Sequence, residues 1–98
     1  FDSPRDRHYM SFYVSMILSI NNKKRLSYVG YSDNILRRLS LHNKSKGAKF
    51  TRGKKWKLIY SKKYSSKSIA MKEEYKLKKN YLKRKKIKEE FLKLNNTI

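Results

Sequence analysis

The chain contains no cysteine, so disulfides and thiolate-bound metals are excluded. At 98 residues and without such cross-links, its stability rests on packing and secondary structure, or on oligomerisation. Acidic residues are scarce, with Asp and Glu totalling 7 against 27 Lys and Arg, a net charge of +20. Charge of one sign on this scale opposes compaction by self-repulsion and favours a polyanionic partner, of which nucleic acid is the commonest. AT-rich codon usage would raise Lys, Asn, Ile, Tyr and Phe together, but it would raise Asp and Glu as well.

Long apolar runs are missing too. The run FYVSMILSI at 12–20 is interrupted by Ser15 and falls short of the roughly 20 residues of a membrane-spanning helix. No small-residue cleavage pattern follows it. The expectation is therefore an intracellular, cytoplasmic domain with no membrane partner.

The length allows one small core. The apolar fraction is 38%, and 8 tyrosines place a hydroxyl on much of the aromatic surface. Residues 1–10 are polar and patternless and read as a leader, 11–94 as the domain, and 95–98 as a tail. From Phe12 the run is β-branched, aromatic and aliphatic, which predicts a strand. NNKK at 21–24 is turn chemistry and RLSYVGYS at 25–32 the returning strand, together a hairpin. Ser32 or Asp33 offers an N-cap to a helix over 33–44, with Ile35, Leu36 and Leu39 in one arc. Arg38 and His42 stand four apart at the border of that arc, one turn from each other.

A basic loop follows at 43–55. WKLIYSKKY at 56–64 sets Trp56, Leu58 and Tyr60 against lysines and predicts a third strand with one wet face. A helix over 65–81 carries Ala70, Leu77 and Tyr81 as its apolar stripe. Glu74 lies on that stripe and Glu73 inside its arc, a costly placement for a carboxylate unless it is paired or binds a cation. Ile87, Phe91 and Leu94 give a last amphipathic helix. The order β-β-α-β-α-α predicts the α+β class, a small three-stranded antiparallel sheet flanked by helices.

YVG at 28–30, RRLSLHN at 37–43, GAKFTRGKKWKLIY at 47–60 and AMKEEYKLKK at 70–79, in this order, resemble the GIY-YIG endonuclease superfamily. The likeness is to its small stand-alone bacterial branch, similar to the catalytic domains of the excision-repair and branched-DNA resolving nucleases. It implies a metal-dependent endonuclease acting on DNA, in repair or in the processing of branched or damaged structures. It assigns catalytic roles to Tyr28, Arg38, His42 and Glu74, with Glu74 as ligand of Mg²⁺ or Mn²⁺. Only the resemblance selects Glu74 over Glu73.

The chemistry is coherent, because arginine grips phosphate bidentately and a hard cation on one carboxylate keeps its hydration. The proton taken from water falls to Tyr28, acting as a phenolate, or to His42. The first family tyrosine has no counterpart. One register places it at Ser15 and another at Met16, with Tyr13 two residues away on the face of Ser15 as a supporting residue. Lys44, Lys46, Lys49, Arg52, Lys54 and Lys55 are the expected DNA-phosphate contacts. The alternative reading is a weakened or inactive nucleic-acid-binding module on the same fold.

Overall fold

The computed structural model describes residues 11–21, 25–44 and 49–94. In chain order these form β1 (Phe12–Ser19), β2 (Ser27–Ser32), α1 (Ile35–Asn43), a single 3-10 turn (Lys49–Thr51), β3 (Trp56–Tyr64), α2 (Lys67–Lys79) and α3 (Tyr81–Leu94). The strands make one antiparallel sheet in the order β2-β1-β3. This is the α+β arrangement expected from the sequence. Residues 1–10, 22–24 and 95–98, which hold the expected leader, most of the hairpin turn and the tail, lie outside the described residues.

The pleat of β1 divides the molecule. Val14 and Met16 face one way and pack with Val29 of β2 and with Ala70 and Leu77 of α2. Met16 and Leu18 are fully buried, and burial of a side chain of this size contributes roughly 1.5–3 kcal/mol. Ser15 and Ile17 face the other way, towards α1, and share that face with Tyr28 and Gly30. Ser15 lies directly opposite Gly30, and Ile17 opposite Tyr28.

The third strand departs from the expected single wet face. Its register against β1 shifts between Met16, which meets Tyr60, and Ile17, which meets Leu58. Ile59 is thus an extra residue, a bulge that reverses the facing of everything before it. Leu58 consequently lines the α1 side, while Tyr60 and Tyr64 pack against the α2 core. Period-2 alternation across residues 56–60 does not reveal such a reversal.

The helices also begin and end differently from expectation. Asn34, not Ser32 or Asp33, caps α1, its Oδ1 accepting from the Arg37 N–H at 3.0 Å. Ser32 instead accepts from the Asn34 N–H, forming the turn that delivers the cap. Leu36 is 76% exposed and leaves the apolar arc to Ile35 and Leu39. The expected helix over 65–81 stops at Lys79. Asn80 closes it and accepts from the Lys83 N–H as α3 begins, and Arg84 donates to the carbonyls of Leu77 and Lys78. Tyr81 therefore opens a new helix and is largely exposed instead of completing the α2 stripe. In α3, Ile87 and Phe91 are half-buried, whereas Leu94 projects into solvent.

Candidate active site

The sheet face that carries Ser15, Tyr28 and Gly30 meets Arg38 and His42 of α1 across a narrow cleft. Helical spacing sets the last two on one side of α1, one turn apart. Tyr28 and His42 are in edge-to-face contact, with ring centroids 5.1 Å apart. Gly30 lies against the arginine: a Cβ there would stand in ordinary contact, 3.4 Å from Arg38 Nη2 and 3.5 Å from Tyr28 Cε2.

His42 is buried, at 4% exposure. Its Nδ1 lies 2.7 Å from Thr51 Oγ1. Thr51 is itself fully buried, and its carbonyl accepts from the Trp56 indole N–H at 2.9 Å. Asn43 then clamps the end of α1 to the start of β3, its Oδ1 accepting from Trp56 N–H and its amide donating to the Trp56 carbonyl. This chain of contacts fixes the imidazole and leaves Nε2 as the nitrogen not engaged by Thr51. Burial first, and then the charge of Arg38, hold the imidazole below its usual pKa range. The ring is accordingly neutral at neutral pH.

Arg38 also lines a second, more open cleft near the end of β2, with Tyr31, Asp33, Lys67 and Glu74. The Glu74 side chain is 17% exposed, and Lys78 Nζ stands 3.6 Å from its Oε2. Glu73 takes a different direction. It pairs with Lys76 at 3.2 Å and lines a separate cleft with Tyr60, Tyr64 and Asn80. Arg38 therefore joins Tyr28 and His42 on one side to Glu74 on the other, and Glu73 and Asn80 stand apart from that group.

The two candidate positions for the missing tyrosine are also separated. Ser15 lines the cleft, whereas Met16 is fully buried in the core on the opposite face. Tyr13 shares the Ser15 face but sits opposite Ser32, outside the cleft lining. Of the basic loop, Lys44, Lys49, Arg52 and Lys55 are exposed and Lys54 is half-buried. Lys46 lies outside the described residues. Thr51 and Phe50 were not anticipated as site residues. A threonine or a phenylalanine in a lysine-rich loop carries no sequence signal of burial beneath a histidine or of stacking beside a tyrosine.

A cation has two carboxylates in the more open cleft, Glu74 at its buried edge beside Lys78 and the more exposed Asp33 beside Arg37. Among the described residues no three His, Asp or Glu side chains gather into a metal-binding cluster. That donor set fits a hydrated hard cation such as Mg²⁺, which retains several waters and needs few protein ligands.

The α+β fold gathers tyrosine, arginine, histidine and glutamate around adjoining clefts bordered by exposed cations, a set suited to handling phosphate. The family model described as GIY-YIG catalytic domain matches residues 11–88, and the chain belongs to that family. It is similar to UPF0213 protein OB0043 of Oceanobacillus iheyensis, 48% identical over 52% of this chain and 60% of that protein. It is also similar to a UPF0213 protein of Streptococcus pneumoniae, 46% identical over 69% of this chain and 67% of the other. The chain thus spans about 60% of the length of the Oceanobacillus relative. The solution NMR structure of UPF0213 protein BH0048 from Bacillus halodurans covers 79% of this chain and 80% of its own, at 36% identity and a TM-score of 0.45. No described helix is long and apolar enough to cross a membrane.

Proposed function

We propose that this domain is a divalent-metal-dependent endonuclease that hydrolyses DNA phosphodiester bonds, in the repair or processing of branched or damaged DNA. The observation that carries the reading is the position of Arg38, shared by the cleft of Tyr28 and His42 and the cleft of Glu74. A phosphate gripped by the guanidinium lies within reach of a proton acceptor on one side and a carboxylate on the other. Arginine suits that position because its planar fork binds two phosphate oxygens at once and never loses its charge.

In the tautomer whose Nδ1–H donates to Thr51 Oγ1, His42 presents Nε2 as the base that takes a proton from the attacking water. Tyr28, in contact with that ring, orients the water or shares its proton. Glu74 would hold Mg²⁺ or Mn²⁺. When bound, the cation supplies charge neutralisation on the phosphate and assists departure of the leaving oxygen. Lys44, Lys49, Arg52, Lys54 and Lys55 hold neighbouring phosphates without reading sequence, so affinity falls steeply with salt.

The experiment is cleavage of labelled plain, flapped and branched DNA in Mg²⁺ or Mn²⁺, against a chelator control. Cutting that requires the cation is expected. Binding without cutting under every condition would instead support a non-catalytic DNA-binding module, a second reading favoured by the serine at position 15 of the cleft. Ser15→Tyr tests that reading directly. The new ring would enter the cleft across from Gly30, beside Arg38 Nη2 and Tyr28 Cε2. The variant is expected to cleave faster, approaching the roughly 10²-fold that a positioned proton-handling group contributes. An unchanged rate would mean that the site has no use for a phenol at that position.

A further inference from the structure

Beside the cleft, on the 3-10 turn between α1 and β3, Phe50 presents a large aromatic ring that is 48% exposed. Its neighbours set it apart from other exposed apolar side chains. The ring stacks on Tyr28, with centroids 6.1 Å apart and planes 21° from parallel. Trp56 flanks it at 6.2 Å. Lys54 Nζ stands 5.3 Å from its centroid and also donates to the Phe50 carbonyl. Lys49 and Arg52 on either side are exposed cations.

We infer that Phe50 is a stacking platform for an unpaired nucleobase next to the scissile phosphate, and that it directs this domain to DNA whose bases are unstacked at that point: flaps, branches or single strands. The inference rests on the DNA-nuclease reading above and names its substrate class. An exposed ring flanked by two aromatic residues offers a π-face on which a base can stack. Cations around an exposed aromatic are the pattern of single-strand binding sites, in which the backbone is held by charge and the bases by π-faces. A base taking the place of Lys54 over the ring frees that ammonium for the adjoining phosphate. Because the ring also touches Tyr28, the stacked nucleotide is a neighbour of the phosphate at Arg38. A base inside an intact duplex has no free face to offer, so the contact discriminates by structure and not by sequence.

The test is made in excess chelator, so that it reads binding alone and stands or falls independently of cleavage. Short oligo-deoxyadenosine or flapped DNA is expected to shift the Phe50 ring protons upfield in NMR spectra, with assignment from Phe50→Leu. Phe50→Ala should weaken binding of single-stranded and flapped DNA by about 5- to 150-fold, the range measured for loss of base–aromatic stacking, while duplex binding changes less than about twofold. Phe50→Trp should bind as the wild type does. Phe50→Leu keeps apolar bulk but has no π-face, so it should resemble Phe50→Ala. Ring protons that do not move, a leucine variant that binds like wild type, or an equal loss on duplex and flapped DNA would each overturn the inference. If cutting is absent while the ring shifts persist, the stacking site stands and the nuclease reading fails.

Discussion

Glu74→Gln is expected to reduce metal-dependent cleavage by roughly 10²- to 10⁴-fold, the several kcal/mol that a bound cation supplies to phosphoryl chemistry, while DNA binding in chelator stays within about twofold. The amide keeps the size of the side chain and removes the charge that a hard cation requires. Glu73→Gln is the control, because the two residues are adjacent in sequence but about 100° apart around the helix. Glu74 shares its cleft with Arg38, whereas Glu73 pairs with Lys76 beside Tyr60 and Tyr64. The glutamine at 73 should therefore cut at close to the wild-type rate. A readout independent of turnover is available in Mn²⁺, whose paramagnetism broadens the NMR signals of residues around its site. Broadening near Arg38 and Tyr31 that disappears in Glu74→Gln, but not in Glu73→Gln, is the expected pattern. The reverse pattern would move the cation to the other cleft and leave Arg38 without the carboxylate on its second side.

The contrast between Glu73 and Glu74 also marks what can be read from a sequence of this kind. Both carboxylates fall inside the α2 apolar arc, so periodicity flags the pair, and the resemblance picks one. The direction each takes depends on what lies across from the helix, here the Arg38 cleft and the Tyr60–Tyr64 face. The strands, the order of the elements and the Arg38–His42 spacing follow from patterns two to four residues long, which local physics enforces. The features that were missed, apart from the Asn34 cap, turn on contacts with a neighbouring element. The bulge at Ile59 appears only when β3 is paired with β1, and Asn80 ends α2 because α3 leaves in a new direction and Arg84 returns to its carbonyls.

Positions 15 and 16 show the opposite case. The sequence left two registers for the absent tyrosine, but the pleat alone sends them to opposite faces. Once Met16 is in the core, Ser15 must line the cleft. Thr51 belongs to neither kind. Its contact with His42 joins the 3-10 turn to α1, and no periodicity in the chain reports it.

Arg38 carries the second large effect, and its loss should be visible in pH dependence as well as in rate. Arg38→Lys retains the charge but gives up the bidentate grip, and about a 10²-fold loss of cleavage is expected, comparable to removal of one positioned donor from an anion site. Arg38→Ala should lose more, and the excess should grow as pH falls. The guanidinium is one of the two causes that hold the His42 imidazole below its usual range, the larger being burial. A neighbouring positive charge disfavours the protonated ring, so removing it raises the pKa. In the wild type the neutral ring persists down through about pH 6.5, the ordinary histidine value. In Arg38→Ala the proton is taken up at higher pH, and the acid limb of the activity profile moves upward with it. Arg38→Lys should leave the limb nearly in place. The ratio of alanine-variant to wild-type rate, measured between about pH 5.5 and 8, should therefore fall towards acid, and the NMR titration of His42 should shift in the same direction. A His42 titration that moves while the rate ratio stays flat would assign the proton-accepting role to Tyr28 and leave His42 as the residue that positions it.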